Sequence, residues 1–561
     1  PIKTILLKPS RFNMYNTWKI ENGYQVFSCG CKFEVIRERE GHVPLVKRGN
    51  PYKTWNYECP ATQAIMADGK TLGVWQLESP LGQHWCKRLK PENTEHVAAL
   101  GAILRPGCME AKDERGVSTT EKYCRYKNNE EIPVPEVAAL GPLLVDNYYQ
   151  MIYQEDCMRI SRELAGFNGP QANTLMKGIG KKKPEIIAGL KKEFLEGCAK
   201  VGKVNEEEAI KIFENIEKSQ RYSFNRSHAV CYGILGQATA FAKAHEVDYF
   251  FSAYLEGAEE KSKVQLERYK LVKDSKFFDI DIKRPSLSKS RKWFYSPRKG
   301  EILFGLNSVK HVGKKTIDKV KEFNKNHKDD GWLVTLVRCL YMIDSRAAQN
   351  IIKAGIIDNG MKRKHQLHEY DILCELTKGQ IEFMVENCDK YSTLKELFVA
   401  MNKPKKEGGG RHRAKDKEKI DSLIYTIDNP GYPLEDNPEW IASVEEEVLG
   451  IALTATLLDG ADKAIANTTC KDITFGKDAK NMVIACELDR VEQKDIKTGK
   501  NKGKPYLKVD FSDETGTING VMIWPETQEK FGYLLKEKNT VCLKVYRNRT
   551  GDISVSEVYQ I

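Results

Sequence analysis

The sequence predicts a multidomain α+β protein with a mainly helical centre and a C-terminal five-stranded β-barrel of the OB type. Three observations predict it. The chain is 561 residues long, more than one hydrophobic core usually serves, so several domains are expected. Apolar residues recur at three- and four-residue spacing from about 61 to 400, in runs such as GLKKEFLEGCAK and EEEAIKIFENIEK. From about 479 onward the period changes to two, with turn residues between alternating runs.

Taken in order, residues 1–60 read as strands, with YQVFSCGCKFEVI broken by Gly41, Gly49, Pro51 and Pro60. Cys29, Cys31, His42 and Cys59 in this segment offer a set of soft and borderline ligands for a structural zinc ion. Ordinary buried thiols are the alternative, because the Cys-x-Cys spacing is tighter than the usual zinc-ligand gap. Residues 61–255 form the first helical domain. Residues 256–400 form a second one, in which FGLNSVKHVGKKTIDKV carries a hydrophobic-Gly turn at Val312–Gly313 followed by lysines and a helix. That pattern suits a helix-hairpin-helix element, whose turn amides and first helical turn face a phosphate. Lys310, Gly313, Lys314 and Lys315 are its DNA-contact candidates; a glycine C-cap between two packed helices would look the same.

Residues 401–430, with NKPKKEGGGRHRAKDKEK, read as a basic, glycine-rich linker or mobile loop, and 431–478 as a connecting segment. In 479–561, five alternating runs with a helix-like ETQEKFGYLLKEK between the third and fourth fit a Greek-key barrel. Such barrels bind single strands with a basic groove and exposed aromatics. The hairpin containing Lys500, Lys502 and Lys504, with Tyr506, Phe511, Trp524 and Tyr546, supplies both ingredients. Most of those aromatics could equally be core.

Lys and Arg number 89 against 78 Asp and Glu, a formal charge of +11. This moderate basic excess suits a polyanionic partner, and a solvated basic surface equally well. Fifteen cysteines scattered without regular spacing point to reduced thiols in a cytoplasm. The sequence contains neither a run of about 18 apolar residues nor a signal-peptide pattern, so neither membrane insertion nor secretion is indicated.

The blocks YQEDCMRISRELAGF, LMKGIGKKKPE, IFENIEKSQRYSFNRSHAVCYG and ATAFAKAH, in order between Tyr153 and His245, resemble the fingers domain of C-family replicative DNA polymerases, the alpha subunit of bacterial DNA polymerase III. TLGVWQLES at 71–79 and LRPG at 104–107 resemble that family's passage from palm into fingers, and EEEVLGIALTATLLDG at 445–460 resembles the passage before its last domain.

The resemblance implies binding of a deoxynucleoside triphosphate. Lys177, Lys181, Lys182 and Lys183, around Gly178 and Gly180, are then the triphosphate-binding charges. Relatives usually carry two arginines where this chain has Met176–Lys177, so a point charge replaces a planar fork. Arg221, Tyr222, Asn225, Arg226, Ser227 and His228 form a polar corner suited to the incoming nucleotide, in which Asn225 and Ser227 can also cap the following helix. Arg105 lies where the family places a charged residue beside the cleft; a surface salt bridge is the alternative. Gln380, Ile381, Phe383 and Met384 resemble the family's sliding-clamp peptide, and a plain amphipathic helix would look alike.

The sequence departs from the family in one respect that matters for catalysis. The paired acids with which the family's palm binds magnesium are not found, and Glu21 is the only carboxylate near the place expected for a third palm acid. The resemblance therefore implies a polymerase divided between chains, with no catalytic carboxylate here and Mg2+ held at a site shared with a palm-bearing partner. Its other expected partners are primer-template DNA, single-stranded DNA, a deoxynucleoside triphosphate and a sliding clamp, in the cytoplasm of a bacterial cell or a virus-infected bacterial host. A non-catalytic DNA-binding scaffold of the replisome, derived from a polymerase, is the alternative.

Overall fold

The computed structural model describes residues 18–37, 45–47, 55–180, 184–219, 223–289, 291–327, 330–410, 414–474, 476, 481–496, 502–548 and 552–561. The chain divides into two compact units. One takes in the N-terminal strands and the helices up to Val247, and the other begins at Asp248 and runs to Ile561.

The first unit opens with an antiparallel sheet of β1 (Trp18–Glu21), β2 (Tyr24–Phe27), β3 (Lys32–Arg37) and β4 (Leu45–Lys47), ordered as in the sequence. Asn22 and Gly23, with φ of 51° and 79°, make the two-residue turn that brings Tyr24 opposite Glu21, the left-handed geometry that matches strand twist. Phe27 and Phe33 point inward. The helices that follow form two cores. The first gathers Met66, Leu89, Leu100, Ile103, Tyr123, Ile152 and Tyr153, from segments that include Pro60–Ala67, Thr94–Ile103 and Thr119–Lys127. The helix Arg226–His245 lies against Thr94–Ile103 at Gly233, where an added Cβ would stand 3.0 Å from the Ala98 nitrogen. The second core gathers Ile160, Leu164, Leu175, Phe194, Ile212 and Phe213 from Gln154–Ala165, Gly169–Gly180, Pro184–Val201 and Glu206–Ser219.

The second unit contains a small sheet that helical periodicity did not announce. Its strands β5 (Asp281–Lys283), β6 (Tyr295–Arg298) and β7 (Glu301–Leu303) are ordered β5-β7-β6. They are three and four residues long, too short to show a period against their surroundings. Helices Lys314–His327, Ser345–Lys353, Arg363–Cys374, Lys378–Asn387 and Leu394–Asn402 follow. Where composition reads as linker, the structure has the helix Ala414–Asp428, with Ile420 fully buried and Asn402 bonded to Asp421 at 2.6 Å. A buried apolar residue and a few polar ties are enough to dock a helix of mixed charge that looks solvated in sequence.

The barrel is closed, as the alternation predicts. Strands β8 (Met482–Asp495), β9 (Pro505–Asp513), β10 (Gly516–Ile523), β11 (Thr540–Arg547) and β12 (Ile553–Gln560) run in the order β10-β12-β11-β8-β9. Met522 pairs with Ser554 to shut the ring, and the helix Pro525–Phe531 sits between β10 and β11. Ile484, Leu488, Val509, Phe511 and Leu543 fill the interior. Among the described residues no helix is long and apolar enough to cross a membrane.

Candidate functional site

The polar corner in the first unit is built where two chain segments meet as a short bridge. Gln154 donates its N–H to the Phe224 carbonyl at 2.9 Å, and Phe224 donates to Ile152 at 3.1 Å. Each segment then starts a helix. Asn225 caps Arg226–His245: its Oδ1 accepts from the His228 N–H at 2.9 Å, which satisfies one orphan donor of the first turn. The Asn225 amide donates to one Glu155 oxygen at 2.8 Å, and the Arg226 N–H to the other at 2.9 Å. A carboxylate at that helix start is also favoured by the helix dipole.

Arg226 extends its guanidinium to Glu95 at 3.2 Å and lies 5.8 Å over the buried Tyr153 ring. Burial works against its charge, yet Glu95 beside it leaves the Arg226 pKa above its ordinary value. Arg105 stacks its guanidinium 3.8 Å over Phe224. His228 packs edge-on to Phe224 at 5.2 Å and lies 4.1 Å from Tyr232, one turn along the same face; Tyr232 in turn is 6.0 Å from the exposed Trp75. The surface thus joins two guanidinium groups, one of them stacked on an aromatic ring, to a row of rings. Such a surface can take a phosphate and an adjoining base or sugar.

Glu155 and Asp156 are both tied into hydrogen bonds within the fold, and Glu95 pairs with Arg226. Both Glu155 oxygens are engaged as above. Asp156 accepts from the Tyr153 and Ile152 N–H groups at 2.8 and 3.1 Å and from Asn147 at 2.9 Å. Burial pushes its carboxyl up to about 7, with the two backbone donors holding it back.

Of the residues proposed from sequence for the nucleotide, Arg105, Asn225, Arg226 and His228 come together here, and Ser227 is exposed on the first helical turn. Lys177 stands exposed on Gly169–Gly180, whose Leu175, Met176 and Ile179 face the second core. Gly178 packs closely: an added Cβ would come within 2.4 Å of Leu190. Lys181, Lys182, Lys183, Arg221 and Tyr222 lie outside the described residues. Glu95, Phe224 and Tyr232 were not singled out from sequence, because only the fold brings them to the corner.

In the second unit, Lys310, Gly313, Lys314 and Lys315 are exposed around the start of Lys314–His327, with Val312 buried beneath them. The turn is held by Lys310 N–H donating to Val448 at 2.9 Å and by Asn350 donating to the Lys310 carbonyl at 2.6 Å. Beside it an open cavity of about 630 Å³ is lined by Arg268, Lys310, His311, Gly313 and Gly450. Arg268 donates to the Leu449 and Ser308 carbonyls at 2.8 and 3.2 Å. On the barrel, Lys502 and Lys504 are exposed, and Tyr506 pairs with the partly exposed Trp524 at 5.8 Å. Tyr546 is exposed, while Phe511 is core. Lys500 is outside the described residues.

The clamp-peptide candidates lie on the helix Lys378–Asn387. Gln380 is buried and closes a capping box, its Oε1 accepting from the Thr377 N–H at 2.8 Å. Ile381 and Met384 are buried and Phe383 is half-buried, so these side chains serve the domain's own packing. Cys29, Cys31 and Cys59 converge with His245, all donor atoms lying within 4.8 Å of one another; His42 lies outside the described residues.

Two families match the chain. The finger domain of the bacterial DNA polymerase III alpha subunit matches residues 35–202, and the helix-hairpin-helix motif matches residues 279–367. The chain is homologous to the C-terminal region of the bacterial DNA polymerase III alpha subunit. The finger match begins ahead of residue 61, within the strands that sequence alone left unassigned. Among the relatives, the DNA polymerase III subunit alpha of Aquifex aeolicus is 29% identical over 525 residues, 91% of this chain and 39% of the relative. That of Helicobacter pylori strain J99 is 26% identical over 479 residues, 82% of this chain and 36% of the relative. That of Bacillus subtilis is 26% identical over 492 residues, 86% and 39%. The chain therefore spans 36–39% of the length of these alpha subunits.

Proposed function

We propose that this chain provides the nucleotide-handling fingers and the DNA-contacting domains of a DNA-directed DNA polymerase, and that a palm-bearing partner chain supplies the carboxylates that hold Mg2+. The observation that carries the reading is the corner around Phe224. There a capped helix start presents Arg226 and His228 beside the stacked Arg105, and Arg105 lies within the stretch that matches polymerase fingers.

The division of labour follows from the residues. Lys177, with Lys181, Lys182 and Lys183, brings ammonium charge to the triphosphate, while Arg105 and Arg226 offer guanidinium forks. Arg226 leaves its partly exposed pair with Glu95 at little cost, since such pairs contribute only about 0–1 kcal/mol. His228 and Tyr232 form a face for the base and sugar. Positioning and charge account for most of phosphoryl-transfer catalysis, so these are the contributions a fingers domain can make. Mg2+ supplies neutralisation of the phosphate oxygens when held by the partner's acids; Glu155 and Asp156 do not fit as its ligands, because their hydrogen bonds within the fold occupy them. In the second unit the turn at Gly313 grips duplex phosphates with Lys314 and Lys315, and the barrel binds single strand by stacking on Tyr506 and Trp524.

Primer extension tests the reading. The chain together with a palm-bearing chain and Mg2+ extends a primer, and either alone does not. A combination that binds primer-template yet never extends it, under any nucleotide concentration, would support the scaffold alternative instead.

A further inference from the structure

We propose that Cys29, Cys31, Cys59 and His245 hold one structural Zn2+ ion that fastens the N-terminal sheet to the far end of the helix bearing the nucleotide corner. The proposal rests on side-chain geometry within the first unit and does not depend on the polymerase reading.

Zinc bound by thiolate and imidazole is tetrahedral, with Zn–S of about 2.3 Å and Zn–N of about 2.0 Å, which sets donor atoms about 3.5–3.8 Å apart. Here His245 Nε2 lies 3.2 Å from the Cys29 sulfur and 3.7 Å from the Cys59 sulfur, and all four donors fall within 4.8 Å of one another. An ion at their centre needs only sub-ångström adjustment. Three thiols and one imidazole leave no open coordination position, so the site is closed and structural rather than catalytic. A sulfur-rich set of this kind selects zinc over magnesium, calcium or manganese.

The surroundings prepare each ligand. His245 Nδ1 lies 2.9 Å from the Phe241 carbonyl, and donating its proton there leaves Nε2 unprotonated and aimed at the thiols, the usual outer contact of a zinc-bound histidine. Cys59 is the N-cap of Pro60–Ala67 and accepts the Thr62 N–H at 3.4 Å, which stabilises a thiolate at a helix start. Cys29 and Cys31 straddle Gly30, whose φ of +89° lets the β2–β3 loop fold back so that both sulfurs point one way. Phe241 stacks on His245 at 4.0 Å, and Phe27 packs edge-on to it at 4.9 Å, so an apolar shell limits water.

The consequence for the fold is long-range. Cys59 and His245 are 186 residues apart, and His245 ends the helix whose opposite end is capped by Asn225. The ion anchors one end of that helix while Glu155 fixes the other. A ligand set that folding assembles contributes its binding energy to folding.

Metal analysis of the full chain, purified reduced and without chelator, tests this. It should contain about one equivalent of Zn2+ per chain, falling below about a tenth of that in Cys29→Ser and His245→Asn, while Cys231→Ser, at an exposed cysteine away from the set, keeps the full complement. Should the ligand variants fail to fold, Co2+ exchanged into the wild-type chain decides the matter: intense visible d–d bands with thiolate-to-cobalt charge transfer are the tetrahedral signature expected. A reduced, folded wild-type chain that neither carries zinc nor takes up Co2+ overturns the proposal. So does zinc retained undiminished by folded His245→Asn.

Discussion

Glu155 and Arg226 stand 71 residues apart in sequence, yet a Glu155 carboxylate oxygen accepts the Arg226 backbone N–H at 2.9 Å. The other oxygen takes the Asn225 amide at 2.8 Å, so one side chain fixes both the cap and the first residue of the helix that carries His228. Loss of a cap of this type costs about 1 kcal/mol, with helix-dipole attraction adding a few tenths more. Glu155→Ala is therefore expected to lower the stability of the first unit by about 1–2 kcal/mol. It should raise KM for the incoming nucleotide more than it changes duplex affinity. Calorimetry and steady-state primer extension on the assembled polymerase check the two parts.

His96 gives the first unit a sensitivity to acid. Burial lowers its pKa from 6.5 to about 4, with Lys127 nearby adding to the effect. The Glu92 N–H donates to its Nδ1 at 3.2 Å, a bond that protonation of that nitrogen would abolish. The folded state thus binds this proton less readily than the unfolded chain does. The stability His96 contributes is complete above pH 6.5 and is lost as pH falls toward 4. The expected loss is on the order of 2 kcal/mol. Urea midpoints measured between those pH values should drop steeply in the wild type and less in His96→Gln.

A buried ion pair organises the helical part of the second unit. Arg363 donates to Glu445 at 2.7 Å, and Glu445 also accepts the Leu453 and Thr454 N–H groups at 2.6 and 2.8 Å; the Glu445 side chain is fully buried. Arg363→Met alone strands that carboxylate and should cost about 3–5 kcal/mol. Arg363→Met with Glu445→Leu should recover part of it, because no charge is then left uncompensated. A double-mutant cycle of unfolding free energies measures the difference.

The barrel and the hairpin turn should fail in different ways. Trp524→Ala and Tyr506→Ala remove a stacking face and should each weaken single-strand binding by about 1–3 kcal/mol with little change in fold. Phe511→Ala empties the barrel interior and should destabilise it by about 3–5 kcal/mol. Lys314→Ala and Lys315→Ala should weaken duplex binding regardless of sequence, each reducing the salt slope by about one. Fluorescence anisotropy across a salt series separates these outcomes.

Much of this fold was legible because its periods are long and clean. The five barrel strands fall where alternation places them, down to the helix after Trp524. The strands β5 to β7 do not show in the sequence because three or four residues cannot establish a period, and the helix Ala414–Asp428 does not because charge and glycine mask its fully buried anchor, Ile420. At the corner, Asn225 is readable as a helix cap from local sequence. The link from Glu155 to its partners is not, since it exists only once Ile152–Gln154 and Phe224 lie side by side. Cys29, Cys31 and Cys59 were readable as candidate ligands. His245, which lies beside them in the fold, is far away along the chain, so local spacing does not point to it.

The most direct test of the nucleotide-site assignment is the KM for deoxynucleoside triphosphate of the chain assembled with a palm-bearing chain, compared with His228→Ala and Lys177→Ala. The account predicts primer-template affinity within about twofold of wild type and KM raised at least about tenfold in each variant, a loss of about 1.4 kcal/mol or more. Unchanged KM in both variants, in an assembly that extends primers normally, would contradict it.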